Sequence, residues 1–317
     1  MNQTAAIIGA GLIGRAWAVV FARAGWRVRL HDPDPSALER AMAWIPACLR
    51  EHEAIGLADD AAAATARVSA HASLADTLAG AEWVQENGPE VVEVKRTLFA
   101  AIDAAAEPNA ILASSTSAIV ASQFTAELQG RARCLVAHPV NPPHLIPVVE
   151  LCGAPWTSPS TIDRAREIMQ AVGQVPVTVR REIDGFVLNR LQGALLSEAM
   201  RLVAEGVVSP EDLDATVAAG LGLRWSFMGP FATIELNAPG GVADYAARYA
   251  AFYRRVAADP ALPSVWDADN AARVSAALGP PRSPSEREAR MRWRDARLAA
   301  LRVHQRNASD PDEGASR

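Results

Sequence analysis

The sequence is poor in cysteine and lacks a long apolar run. Three cysteines, Cys48, Cys134 and Cys152, occur among 317 residues, and they form neither a C-x-x-C pair nor a zinc-ligand pattern. We therefore expect buried, reduced thiols and no metal, as in a reducing cytoplasm. No stretch approaches the roughly 20 apolar residues of a membrane-spanning helix, and the N-terminus lacks the pattern of a secretory signal. The sequence predicts a cytoplasmic protein without a membrane partner.

An excess of charge of one sign is also missing. The formal net charge is −5, which gives no reason to expect nucleic acid or an anionic membrane as a partner. Half of the residues are apolar, so a sizeable core can form. The length of 317 residues is enough for two domains of ordinary size.

The first half of the chain alternates short β-like runs with helical stretches, a pattern typical of a parallel sheet covered by helices. The predicted strands are 5–8, 27–31, 83–85, 110–113, 133–137, 147–151 and 175–179. The predicted helices of this half include 15–24, 35–53, 90–106 and 159–172. The predicted fold class is therefore α/β, with a mostly parallel, Rossmann-type sheet domain over residues 1–184.

The character of the sequence changes after about Asp184, because strand signals nearly vanish. The predicted helices of the second half are 187–206, 209–219, 234–256 and 286–304. Residues 279–285 are Pro-rich and read as a loop, and residues 307–317 are polar and expected to fray. We predict a mainly α-helical second domain over residues 185–317.

A glycine-rich turn directly follows the first predicted strand. Gly9, Gly11 and Gly14 have the spacing G-x-G-x-x-G and open the first helix. The first glycine permits a tight turn, the second lets the backbone approach a pyrophosphate, and the third allows close helix–strand packing. Leu12 and Ile13 complete the turn. Backbone N–H groups at such a helix start favour a bound diphosphate, so the turn predicts a dinucleotide site.

An acidic residue ends the second predicted strand. Asp32 lies 18 residues beyond Gly14, where a carboxylate can accept both ribose hydroxyls of NAD and repels the 2′-phosphate of NADP. The alternative is that Asp32 only caps the turn at 33–35. The order of strand, glycines, helix and acid favours the first interpretation and predicts NAD as the cofactor.

One histidine is placed to act as a base. Oxidation of a secondary alcohol requires a proton acceptor, which is most often histidine. His138 directly follows the predicted strand 133–137, and the carboxyl ends of strands are where α/β sheets place their ligands. Glu150 lies between apolar residues in the next β-like run, where a carboxylate needs a partner such as this imidazole. A salt bridge from Glu150 to another neighbour is the alternative.

Four hydroxyl residues, 114–117, follow another predicted strand. A hydroxyl at this edge can donate to a substrate oxygen. Capping of a helix or turn is the commoner role of such clusters. The residues alone do not choose among the four.

These segments together resemble the 3-hydroxyacyl-CoA dehydrogenase superfamily. The matching pieces, in family order, are the glycine turn with Asp32, then 114–117, 138–142, 149–150, 185–190 and 228–231. The closer likeness is to its lambda-crystallin branch, the L-gulonate 3-dehydrogenases. That likeness is carried by 138–143, 146–147, 149–151, 185–191, 208–214, 220–224 and 292–295.

The resemblance implies roles for individual residues. His138 corresponds to the catalytic base and Glu150 to its partner. Ser117 and Asn189 correspond to the groups that hold the substrate oxygen. The family fold further implies a homodimer that forms through the helical domain.

Two further residues follow from the same resemblance. Glu90 and Lys95 match positions near the nicotinamide ribose. They complete the set expected to contact the cofactor, NAD.

Two departures from the acyl-CoA enzymes bear on the substrate. Residues 38–60 contain no lysine and only two arginines, Arg40 and Arg50, where the CoA-binding enzymes carry a lysine-rich helix. The guanidinium of Arg224 can bind a free carboxylate through two hydrogen bonds. The alternative to this substrate-binding role is a structural salt bridge from Arg224 to Glu235. We therefore expect a small free hydroxy acid, oxidised at its 3-hydroxyl.

Three other functions stay open from the sequence. Residues 223–225 resemble a stretch of the L-carnitine dehydrogenases, and Trp225 or Phe231 can contribute to a quaternary ammonium cage. A 3-hydroxyacyl-CoA dehydrogenase, such as one for 3-hydroxybutyryl-CoA, is the second. The third is a dinucleotide-binding structural protein, as among the crystallins of this branch. The intact set of four site residues favours an enzyme.

Overall fold

A computed structural model describes residues 3–307 of the chain. The strands that it contains are β1 (Thr4–Ile8), β2 (Arg27–His31), β3 (Val68–Ala70), β4 (Trp83–Glu86), β5 (Ile111–Ser114), β6 (Cys134–Pro139), β7 (Val148–Gly153) and β8 (Val175–Val179). They form one sheet in the order β3-β2-β1-β4-β5-β6-β7-β8. The predicted α/β class is confirmed.

The direction of the strands places the functional edge of this sheet. From β3 to β6 every neighbouring pair is parallel, and only β6 and β7 pair antiparallel within the described sheet. The chain leaves β1 for β2 on one side and returns to β4 on the other. Ligands of such sheets bind at the carboxyl ends of the strands, where the order reverses.

Helices cover the sheet and make up the second half of the chain. The first set is α1 (Leu12–Arg23), α2 (Pro35–Ala54), α3 (Ala61–Ala66), α4 (Leu74–Leu78), α5 (Val92–Ala105), α6 (Ser122–Thr125) and α7 (Pro159–Ala171). The second set is α8 (Leu188–Ala204), α9 (Pro210–Ala215), α10 (Gly222–Trp225), α11 (Pro230–Leu236), α12 (Gly241–Ala257), α13 (Ala268–Leu278) and α14 (Pro284–Asn307). None of these helices in residues 3–307 combines the length and apolar character needed to cross a membrane.

Two sequence predictions about elements are wrong. The single helix expected at 234–256 is broken between α11 and α12, because Pro239 and Gly240 interrupt it and Gly241 has a φ of +67°. His138 lies inside β6 rather than just beyond a strand. The strand β3 and the helices α3, α4, α6, α10 and α13 were not predicted. All of them except the 11-residue α13 are too short to show a clear periodicity.

The sheet is buried on both of its faces. Along β1, Ala5 and Ile7 join one apolar cluster while Ala6 and Ile8 join another, as the alternation of side chains along a strand requires. This explains why β1 reads as a continuous apolar run, which is typical of parallel sheets between helical layers.

The chain divides into two compact units. One contains the described residues up to Asn189 together with those from Arg290 onward, and the other is Arg190–Ala289. The predicted domains, 1–184 and 185–317, differ from this division mainly in the place of the last helix. Ala299 is buried in a cluster with Leu57 and Leu145, which explains why the end of α14 groups with the α/β unit.

Candidate active site

The glycine turn after β1 has the shape that a phosphate-binding turn requires. Gly9 has a φ of +94°, and a β-carbon there would lie 2.9 Å from the carbonyl oxygen of Asn87. A β-carbon on Gly14 would collide with the carbonyl oxygen of Gly9. Gly11, in contrast, has open space at its β-position. The first and third glycines are therefore fixed by packing, and the second leaves room for a ligand.

The start of α1 faces that open space without a side-chain cap. Gly11 precedes the helix and supplies no capping side chain, while Leu12 is 60% exposed. Backbone N–H groups at such a helix start lack intrahelical acceptors. They fit the diphosphate of a dinucleotide, which the helix dipole also favours.

Asp32 connects the turn to the end of β2. Its Oδ2 accepts a hydrogen bond from the Ala10 amide at 2.7 Å, and its Oδ1 accepts one from the Asp34 amide at 2.9 Å. The carboxylate thus supports the turn at 33–35, as the alternative interpretation expects, but the cap of α2 is Asp34 itself. Asp32 stays half-exposed, so acceptor positions remain for ribose hydroxyls. These residues fit NAD.

His138 and Glu150 form a buried pair across two strands. They face each other directly in the antiparallel ladder of β6 and β7. The imidazole Nδ1 and the carboxylate Oε2 are 2.8 Å apart, and both side chains are almost fully buried. The predicted partnership of Glu150 with His138 is therefore present in the structure. With Nδ1 bonded to Glu150, Nε2 is the ring nitrogen left to accept a proton.

Glu150 is held on its other side by the beginning of α8. Its Oε1 accepts hydrogen bonds from the amides of Val187 and Leu188 at 2.8 and 2.9 Å. Burial opposes ionisation of this carboxyl, but the hydrogen bonds from His138 and the two amides outweigh it and lower its pKa below the usual range. Glu150 is thus a fixed carboxylate that orients the imidazole.

The loop after β5 is held by hydrogen bonds to the carboxylate of Glu90. The carboxylate Oε1 accepts hydrogen bonds from the Thr116 hydroxyl and from the amides of Ser117 and Ala118. Asn189 donates through its side-chain amide to the carbonyl oxygen of Ser117 at 2.8 Å. Ser117 and Asn189, predicted to act together, are therefore in direct contact, and both are exposed or half-exposed.

Lys95 lies beneath this loop rather than on its surface. It is the only lysine of the chain and is 1% exposed. Its Nζ lies 3.0 Å from both carboxylate oxygens of Glu86 and 3.9 Å from Glu90. This burial points to a positioning role toward Glu90, while the predicted contact of Lys95 with the cofactor ribose stays a prediction.

Sequence reasoning missed a polar network that joins the glycine turn to the His138 strand. Asn87 packs against Gly9 and accepts a hydrogen bond from the Ser115 hydroxyl at 2.7 Å. Gln85 donates to that hydroxyl at 2.7 Å and to the Ala137 carbonyl at 3.3 Å. The only signal for this network in the sequence was the run of polar residues 85–87 at the end of a strand that is otherwise apolar.

Arg224 lies in the helical unit, on the short helix α10, and is exposed. In the described part of the chain no ion pair joins it to Glu235. The structural alternative that the sequence left open is therefore absent, and its predicted contact with a substrate carboxylate remains a prediction.

The sheet order, the glycine turn and Asp32 define an oxidoreductase of the NAD-binding, Rossmann-type class. The chain belongs to the 3-hydroxyacyl-CoA dehydrogenase family. The family's NAD-binding domain matches residues 4–183, and its C-terminal domain matches residues 185–277.

Known proteins similar to the whole chain include both crystallins and enzymes. The lambda-crystallin homolog of Bos taurus is 43% identical over 93% of this chain and 94% of its own length. The L-carnitine dehydrogenase of Streptomyces griseus is 36% identical over 86% of this chain and 78% of its own length. The crystal structure of 5-formyl-3-hydroxy-2-methylpyridine 4-carboxylic acid 5-dehydrogenase, an NAD+-dependent dismutase, is 30% identical with a TM-score of 0.85, covering 98% of this chain and 100% of that one.

Proposed function

We propose that the protein is an NAD-dependent dehydrogenase that oxidises the 3-hydroxyl of a small free hydroxy acid, as an L-gulonate 3-dehydrogenase does. The observation that carries this proposal is the buried His138–Glu150 pair with its 2.8 Å contact. A neutral imidazole held in one orientation, with one nitrogen free, is what proton removal from an alcohol requires.

The proton moves through this chain's own residues. Nε2 of His138 accepts the proton of the substrate hydroxyl, and Glu150 stabilises the imidazolium that results. NAD, when bound at the glycine turn, supplies the acceptor for the hydride that leaves the carbinol carbon. The hydroxyl of Ser117, adjacent to Asn189, donates to the substrate oxygen as it becomes a carbonyl.

The helix α2 supports a free acid over a CoA thioester. It contains no lysine, and the Arg40 guanidinium is already engaged with the Ser36 hydroxyl at 2.8 Å and with Asp34 at 3.5 Å. The exposed Arg224 provides the cation that a free carboxylate needs. A relative whose name specifies a pyridine carboxylic acid substrate is consistent with this class.

A substrate panel tests the proposal. NADH formation is followed with L-gulonate, L-carnitine, L-3-hydroxybutyrate and 3-hydroxybutyryl-CoA at equal concentrations. The highest kcat/KM for L-gulonate supports the proposal. A preference for L-carnitine or for the CoA thioester contradicts the substrate assignment, and no turnover of any hydroxy acid favours a structural dinucleotide-binding protein.

We further propose that the helical unit forms a homodimer with a second copy. In Arg190–Ala289 only three residues, Thr233, Ala238 and Val265, are buried. The 17-residue helix α8 has no buried residue and exposes apolar side chains such as Leu195. Apolar helix faces of this extent are stable in water only when another surface covers them.

A further inference from the structure

A second cluster of chemistry-bearing side chains lies in the α/β unit, outside the proposed active site. Cys48 and His52 are one turn apart on α2, and His144 comes from the loop between β6 and β7. All three are buried, and one candidate ligand atom from each lies within 4.8 Å of the others. The Cys48 Sγ and His52 Nε2 are 3.7 Å apart.

Hydrogen bonding within the protein does not account for this cluster. The Nδ1 atoms of His52 and His144 are both buried without a hydrogen-bond partner in the structure. Leaving such a group unpaired is unfavourable, because it loses its hydrogen bonds to water without replacement. The centroids of the two imidazole rings are 5.3 Å apart, and the rings stack. Two polar rings are therefore buried together, each with a nitrogen that has no hydrogen-bond partner in the structure.

Metal binding uses a deprotonated thiolate and imidazole nitrogens without a proton. A metal bound by this cluster therefore has to displace the thiol proton of Cys48 to the solvent.

We propose that Cys48, His52 and His144 form a three-coordinate binding site for the soft monovalent cation Cu(I). Thiolate and imidazole ligands favour copper and zinc over harder cations. One thiolate and two neutral imidazoles make a Cu(I) site electrically neutral.

The surroundings select the monovalent ion. Arg23 donates to the carbonyl oxygen of His144 at 2.7 Å, and Arg15 lies over the Trp44 ring, which packs edge-on against His144. A Zn²⁺ ion on the same ligands leaves one positive charge beside these guanidinium groups. It also prefers a fourth ligand, and the cluster found in the described residues offers three.

A surface cavity of the α/β unit reaches one member of the cluster, His144. A cavity of about 290 Å³ is lined by His144 together with Arg23, Arg302 and Arg306. These guanidinium groups repel a free cation, so Cu(I) is expected to arrive in a neutral or anionic complex. Once bound, the ion links α2 to the loop that follows the His138 strand.

Competition with a chromogenic Cu(I) ligand tests the site. Apo-protein is titrated without oxygen against the anionic Cu(I)–bicinchoninate complex. We expect one equivalent bound by the wild type, with at least tenfold weaker binding by Cys48→Ala and by His144→Gln. Cys134→Ala, which removes another buried thiol that is not part of the cluster, is the matched control and is expected to bind like the wild type.

X-ray absorption of the copper-bound protein and a comparison of Zn²⁺ with Cu(I) binding complete the test. One sulfur and two nitrogen neighbours at copper support the proposed ligand set. Equal Cu(I) binding by Cys48→Ala, or no competition by the wild type whose circular dichroism shows a folded protein, overturns the proposal. Tighter binding of Zn²⁺ than of Cu(I) overturns the choice of metal. Each variant's NAD affinity reports whether the α/β unit remains folded.

Discussion

The two compact units of this protein differ in how much of themselves they bury. The α/β unit encloses fully buried aromatic residues such as Trp17, Phe21 and Trp83 between sheet and helices. In Arg190–Ala289 the large apolar side chains are instead exposed, among them Phe252 and Trp266. Burial of apolar area is the main favourable term in folding.

The difference suggests that the two units have different roles. A unit with its own core can hold a turn, a base and a carboxylate in fixed positions without help from another chain. A unit with three buried residues needs another surface for its stability. We therefore expect substitutions in the first unit to damage chemistry or folding, and substitutions in the second to damage assembly.

The largest effect is expected from loss of the base in the α/β unit. His138→Ala should lower kcat by roughly 10³-fold or more, because no other group replaces the imidazole. NAD affinity and oligomeric state should stay unchanged. Steady-state kinetics and calorimetry check this. Retained turnover combined with lost NAD binding contradicts the assigned role.

Ion pairs in the two units should differ strongly in their contribution to the free energy of unfolding. Lys95→Met leaves the buried carboxylate of Glu86 unpaired and should cost about 3 kcal/mol of stability. Arg248→Met removes an exposed pair with Asp244 in the helical unit and should leave the free energy of unfolding nearly unchanged. Chemical denaturation measures both. Similar losses of stability in the two variants would contradict the expected difference between the units.

Assembly should depend on the helical unit alone. Leu195→Asp places a charge on the exposed apolar face of α8 and should weaken the proposed dimer by roughly 30-fold or more. Val177→Asp, at an exposed apolar position of the edge strand β8, is the matched control. Light scattering across a dilution series measures both. An unchanged mass for Leu195→Asp argues against the dimer face.

The smallest of these effects concerns the choice of cofactor. Asp32→Arg should change the ratio of kcat/KM for NADP over NAD by roughly 10-fold in favour of NADP. Asp32→Asn serves as a control that removes the charge and keeps one of the two backbone hydrogen bonds that Asp32 accepts from Ala10 and Asp34. An unchanged ratio for Asp32→Arg excludes ribose recognition by this carboxylate.

Much of the α/β unit could be predicted because its signals are local. The glycine turn and the apolar strands are each set by residues close in the chain. The pairing of His138 with Glu150 was accessible too, since adjacent β-like runs each carry one of them. Their register, which places them directly opposite, required the antiparallel turn between β6 and β7.

Features made by distant residues could not be predicted in this way. Burial of Lys95 against Glu86 depends on how α5 packs on the sheet. Cys48 and His144 lie far apart in the sequence, so no spacing pattern revealed that they meet. The fold class needed only patterns, whereas these contacts needed three-dimensional packing.

The central claim is that a carboxylate fixed by a helix start orients the imidazole that removes the substrate proton. The most direct measurement is the pH dependence of kcat/KM for Glu150→Gln beside the wild type. The lowered pKa of Glu150 keeps it ionised throughout the working range. We predict a loss of roughly 10²-fold or more at every pH of the working range, because the imidazolium that forms in the reaction loses its neighbouring charge. An unchanged profile and rate would contradict the account.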